Sequence, residues 1–219
     1  MNKNAKVSLI LNILIVISGS IGLVLSLNLG AYMFAYFTIL SNTLAVIASI
    51  LYVINLLVKK NQSEIPYYVM VLRLMSSVCL LVTILTVFTI LAATTADNYL
   101  NGLIYLLKTD GMFFHHLLCP VLSIVSFIFF EGDRRLNKKK TIYLGMLPFI
   151  LYAIVTITLN ITRTLDGPYT FLQVYERPVY ASIITGVIMF VATYFLTRFL
   201  LLENQKHAPR IKRDTLKKA

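Results

Sequence analysis

The sequence predicts an all-α protein: a polytopic membrane helical bundle of six transmembrane helices with both termini cytoplasmic. Three observations carry this expectation. Six apolar stretches are long enough to cross a bilayer. The chain is 58% hydrophobic and only 13% charged, a balance that excludes an ordinary soluble domain of 219 residues. The basic residues also alternate in side. Lys108, Arg163 and Arg177 fall in one set of loops and Arg73 and Arg198 within spans, while the other 15 of the 20 Lys and Arg flank the opposite span ends. The positive-inside rule places that richer set, which includes both chain ends, in the cytoplasm.

The elements follow in order. Lys3 and Lys6 precede a first span at about 7–27, too long for the apolar core of a signal peptide and lacking a small-x-small cleavage site, so it reads as uncleaved. Ser18, Gly19, Ser20 and Gly22 give it a small-residue face for close packing. A tight outer turn at Asn28–Gly30 leads to a second span at about 31–58, long enough to tilt. The third runs over about 66–94, with Arg73 two turns from its cytoplasmic end, expected to snorkel to the interface or to be paired rather than to anchor a substrate. NGLIYLLK, between Ala96 and Asp110, reads as a short helix lying on the outer surface. The fourth span, about 111–130, ends in the polar run EGDRRLNKKK. The fifth is at about 141–160. An aromatic-rich loop with Tyr169, Phe171 and Tyr175 reads as an interfacial belt or a lid and leads to the sixth span at about 179–202. Residues 1–202 thus form one integral domain, and 203–219 a basic cytoplasmic tail expected to rest on anionic lipid headgroups.

Charge of +11 would suggest nucleic acid in a soluble protein, but no reading module accompanies it, so nucleic acid is excluded as a partner. Cys79 and Cys119 both fall within spans and read as packing residues; no metal or cofactor is expected. His207 in the tail reads as solvated. Membrane lipids are the expected partners, with a homo-oligomer left open.

Chemistry concentrates at one level of the bundle. His115 and His116 lie inside the fourth span, and titratable groups in hydrocarbon are functional candidates. They fall roughly 6–9 Å below the outer face. Thr38, Ser41 and Asn42 of the second span fall roughly 10–16 Å below it. Thr38 and Asn42 share a helix face, being four apart. Asp110, Asn160 and Arg163 close the neighbouring span ends. A threonine becomes a nucleophile when a base takes its proton, and histidine is the usual base. Asn42 or Arg163 could donate to a developing oxyanion, and Asp110 could orient the histidine. The structural alternatives are a Thr38 hydroxyl bonded back to the Phe34 carbonyl, an Asn42 that stitches helices, and an Asp110 that caps one. Neighbouring histidines differ by about 100° on a helix, so both cannot enter one small site equally well.

At these residues the chain resembles a known group. AYFTILSN (Ala35 to Asn42) and DGMFFHHLLCP (Asp110 to Pro120) are similar to the two signature regions of the androgen-induced membrane hydrolase family. Members have about six spans, and some hydrolyse fatty-acid esters of hydroxy fatty acids with an intramembrane threonine and histidine. The similarity extends to an uncharacterised bacterial branch with an FT-x-x-SN element, a histidine just before a proline, and a Y-x-FL element that YTFLQVY (Tyr169 to Tyr175) matches. The resemblance implies Thr38 as nucleophile. It implies His115 as base when counted five back from Pro120, as in the animal enzymes, and His116 when counted four back, as in the bacterial branch.

The function this predicts is intramembrane hydrolysis of an acyl ester in the outer leaflet of the cell membrane, or acyl transfer by the same chemistry. A small transporter, channel or lipid flippase is the alternative, though no Asp or Glu lies deep within a span to couple ions. A non-catalytic scaffold is the third.

Overall fold

The computed structural model describes residues 1–208, and every regular element in them is helical. Residues 209–219, which carry Arg210, Lys212, Arg213, Lys217 and Lys218 of the expected tail, lie outside the described residues. The remainder of that tail, from Glu203, continues the last helix to Lys206.

Helix α1 spans Lys3–Leu25, with Asn2 capping its start by accepting from the Ala5 amide at 2.8 Å. Its buried residues are Ala5, Ser8, Asn12, Ile15, Ser18, Gly19 and Gly22, spaced three and four apart on one small and polar face. Ile10, Ile13, Leu14, Ile17, Ile21 and Val24 on the other faces are exposed. That arrangement suits a helix bathed in lipid, which holds to its neighbours by close packing and hydrogen bonds. The small face predicted from sequence is the contact face: Gly19 lies against Val46 and Cys119, and Gly22 against the His115 ring.

Helix α2 covers Phe37–Lys59. The sequence places its start near residue 31, but Leu27–Ala35 instead form a 3-10 segment broken at Gly30, and Tyr36 is extended. The chain thus re-enters the bundle six residues later than expected, and Thr38 falls in the first turn of α2. Helix α3, Tyr67–Thr86, passes through a π turn at Val87–Leu91 into the short α4, Ala92–Thr94. Helix α5, Tyr99–Lys108, is capped by Asn98 and matches the short helix read from NGLIYLLK. A second π turn at Phe114–Leu118 opens α6, Cys119–Phe130. Helices α7, Lys139–Ile161, and α8, Val179–Lys206, complete the chain.

By length and apolarity five of these helices can cross a membrane: Lys3–Leu25, Phe37–Lys59, Tyr67–Thr94, Lys139–Ile161 and Val179–Lys206. The chain is therefore a multi-pass integral membrane helical protein. The sixth predicted span is the shorter apolar helix Phe114–Phe130, about 25 Å long at 1.5 Å per residue.

Helices α1, α2, α3 and α6 make the centre, with α7 and α8 against α3. At the end that holds the N-terminus, Arg73 takes the paired one of its two expected arrangements. It does not snorkel; it is fully buried and paired with Glu131 at the foot of α6. Its Nε and Nη2 donate to the two carboxylate oxygens at 2.9 Å each, and Nη1 donates to Ser49 and Ser123. Glu131 also accepts from Asn12 and Ser126. A planar guanidinium meets a carboxylate with two parallel bonds, which an extended reach to water could not match. Glu131 stands at a span end, as the sequence has it, yet it is buried, its carboxylate held by side chains of α1, α3 and α6.

Candidate functional site

Near the opposite, lid end of the bundle, a cavity of about 460 Å³ lies between α2, α3, α7 and α8. Its walls are mostly apolar: Phe37, Val82, Val87, Leu91, Phe149, Ile157, Met189 and Phe190 among others. Residues Tyr169, Phe171, Leu172 and Val174 of the α7–α8 loop line it as well. That loop is tied down at several points. Asn160 accepts from the Val174 amide at 2.9 Å, Tyr175 donates to the Ile161 carbonyl at 2.6 Å, and Arg177 donates to the Phe171 carbonyl at 3.2 Å. Tyr169 stacks on Phe171 and meets Tyr36 edge to face. Four residues of this loop thus form part of the cavity wall.

Thr38 stands on the cavity wall and is buried. Its hydroxyl does not bond back to Phe34, since residue 34 belongs to the preceding 3-10 segment. Its partner is the Tyr169 phenol, with the two oxygens 3.4 Å apart. Burial, the largest influence, raises the Tyr169 phenol above its usual value, so the phenol meets Thr38 as a neutral hydroxyl. Two neutral hydroxyls at the edge of an apolar space can bind a carbonyl, carboxyl or hydroxyl oxygen.

Neither histidine lines this cavity. His115 is buried against α1, its Nε2 lying 3.1 Å from Ser26 Oγ. His116 turns to the other side, its Nδ1 lying 2.7 Å from the Leu106 carbonyl of α5. The two rings diverge, as helical spacing requires. Both sit in the π turn, whose extra residue widens the helix where it meets α1 and α5. The nucleophile–base pair expected between Thr38 and a histidine is thus not assembled: the hydroxyl goes to Tyr169 and the imidazoles go to Ser26 and Leu106.

Asn42 connects these centres through backbone. Its Nδ2 donates to the Thr38 carbonyl at 2.8 Å and to the His115 carbonyl at 3.1 Å. Both amide hydrogens are committed, so Asn42 stitches α2 to α6 and has none left for an oxyanion. Asp110 neither caps α6 nor reaches a histidine. Its side chain is exposed, its backbone has φ 32°, and its carbonyl accepts from Ser26 at 3.3 Å. Asp110 and Gly111 make a sharp turn that sets α6 against α1. Arg163 is exposed at the end of α7 and lies over the Tyr175 ring at 4.5 Å, away from Thr38. His207 is exposed, with its ring against Phe129.

Two residues escaped the sequence reading. Tyr169 was legible as a loop aromatic and as the first residue of YTFLQVY, not as a partner of Thr38, and Ser26 carried no signal of its own. Their partners lie 131 and 89 positions away, and no local pattern carries that pairing. Among the described residues no group of three or more His, Cys, Asp and Glu is placed to hold a metal ion. The chain matches no protein-family model, no curated protein and no solved structure.

Proposed function

We propose that this protein takes the apolar chain of a membrane lipid into the cavity between α2, α3, α7 and α8, holding the lipid's polar end near Thr38 and Tyr169. The observation that supports this reading is the cavity's make-up. Its volume of about 460 Å³ is that of a small-molecule site, its walls are apolar, and its few polar groups are neutral hydroxyls. A ligand that carried charge into the apolar part of the cavity would lose its solvation there without compensation. An acyl chain with a carbonyl or hydroxyl at one end fits both properties.

The reading includes a topology. Helix Phe114–Phe130 makes the sixth crossing, so both termini share one side, the cytoplasmic face of a cell membrane by the distribution of Lys and Arg. The basic residues at that end then lie at the level of anionic headgroups.

Saturable binding of a fluorescent fatty acid to protein in nanodiscs tests the proposal. A side chain added at Gly186 meets no atom within 4 Å, and Gly186 lines the cavity. The Cβ of Gly186→Phe therefore meets no clash, and the variant is expected to abolish binding while the thermal melt stays put. Undiminished binding in that variant would place the lipid elsewhere.

A second reading adds chemistry: hydrolysis of an acyl ester, or acyl transfer, with Thr38 as nucleophile. It is supported by the Thr38 hydroxyl on the cavity wall and by the resemblance of AYFTILSN and DGMFFHHLLCP to the androgen-induced membrane hydrolase family. Turnover requires His115 or His116 to leave its present partner and reach Thr38, because neutral Tyr169 is no base at neutral pH. Labelling with a fluorophosphonate, with the adduct mapped by mass spectrometry, decides it. An adduct on Thr38 that is lost in the double histidine variant upholds hydrolysis, whereas an adduct on Ser26 would move the nucleophile to the serine beside His115.

A further inference from the structure

The cavity wall holds an oddity. Hydroxyls on membrane helices usually bond the carbonyl one turn back. Thr185, Thr193 and Thr197 of α8 do so, at 2.7–2.8 Å. Thr83 and Ser182 do not: both hydroxyl oxygens are buried without any hydrogen-bond partner, and both residues line the cavity. Thr83 is 2% exposed. A buried polar group without a partner costs free energy that its own helix could have recovered, so a partner from outside the chain is implied.

The two hydroxyls lie at different depths. Ser182 is in the first turn of α8, at the lid end with Thr38 and Tyr169. Thr83 sits about three turns below the lid end of the Tyr67–Thr94 span. Between them the walls are mostly apolar; the hydroxyls of Thr86 and Thr185 also line this stretch, Thr185 being bonded back to its own helix. We infer that the ligand is oxygenated at both ends: an amphiphile whose polar head meets Ser182 and Thr38, and whose far end carries a hydroxyl or carbonyl that hydrogen-bonds Thr83. An ω-hydroxy or ω-oxo aliphatic acid or alcohol has that chemistry, and a simple saturated fatty acid does not. This inference rests on the proposal that the cavity binds an apolar chain, and it adds what the buried end of that chain must carry.

The test compares decanoic and dodecanoic acids with their ω-hydroxy counterparts, bound to the full-length protein in nanodiscs. Each pair is measured on the parent protein and on Thr83→Val, a replacement of similar volume that lacks the hydroxyl. Taking the ratio of affinities within each protein cancels the different partitioning of the two acids into lipid. The parent protein is expected to favour the ω-hydroxy acid about three- to tenfold more than Thr83→Val does, the value of one neutral hydrogen bond. Binding of the plain acid should be the same in both, which also shows that the variant is folded. Ser182→Ala should weaken both acids by the same factor. Equal ratios in the parent protein and Thr83→Val would overturn the inference while leaving chain binding intact. Failure of all four acids to bind saturably would overturn both.

Discussion

Replacing Glu131 by Ala should destabilise the bundle by about 3–5 kcal/mol. The magnitude follows from what remains. Arg73 keeps its charge with no exposed surface, and loses two charge-assisted bonds of 2.9 Å. Ser49 and Ser123, at 3.1 and 3.4 Å, are neutral acceptors for Nη1 alone. Asn12 and Ser126 lose an acceptor as well. Each bond to a charged group is worth about 1.5–3 kcal/mol, so the two from Arg73 account for most of the loss. The double replacement Arg73→Met with Glu131→Leu removes both charges at similar volume, and it should recover most of the stability. The assay is reversible unfolding in mixed micelles by titration with a denaturing detergent, followed by far-ultraviolet circular dichroism. The reasoning fails if Glu131→Ala unfolds within about 1 kcal/mol of the parent, or if the double replacement is as unstable as the single one.

Other outcomes follow from the lid end. Asn42→Ala removes the bridge between the Thr38 and His115 carbonyls and should cost about 1–3 kcal/mol in the same unfolding assay, a loss that Asn42→Asp, without the amide hydrogens, should not recover. Gly111→Ala places a methyl 2.8 Å from the Gly22 carbonyl at a residue with φ 73°; it should cost at least about 2 kcal/mol and increase the accessibility of residue 26 to a cysteine-directed probe in a Ser26→Cys background. Tyr169→Phe keeps the ring stack on Phe171 but loses the contact with Thr38. Stability should change by no more than about 1 kcal/mol, while fatty-acid affinity falls severalfold; unchanged affinity would remove Tyr169 from the polar end of the site.

The order of helices and the packing face of α1 were legible because both are local properties. A run of apolar side chains states its own length, and Ser18, Gly19 and Gly22 share a face by helical spacing alone. Thr38 was legible as a site candidate, since it shares one side of α2 with Asn42. Its depth was not, because nothing in Asn28–Gly30 announces a 3-10 segment that runs to Ala35. The partners of Arg73, Thr38 and His115 were also illegible. Sequence can say that an arginine two turns into a span needs relief. Whether water or Glu131, 58 residues away, supplies it depends on which helices meet. The divergence of His115 and His116 was readable from their adjacency, whereas the identity of what each ring meets was not.

The wall that α8 contributes to the cavity is a single helix thick. Only 6% of the most apolar stretch of α8 is buried, and Val187 and Ile188 are more than half exposed beside the cavity-lining Gly186 and Met189. A ligand behind that wall exchanges with the bilayer far more readily than with bulk water, across a screen of one helix. Its occupancy is then set by its mole fraction among the surrounding lipids. Diluting the protein into more lipid at constant total ligand should empty the site, and diluting the same vesicles with buffer should leave it filled.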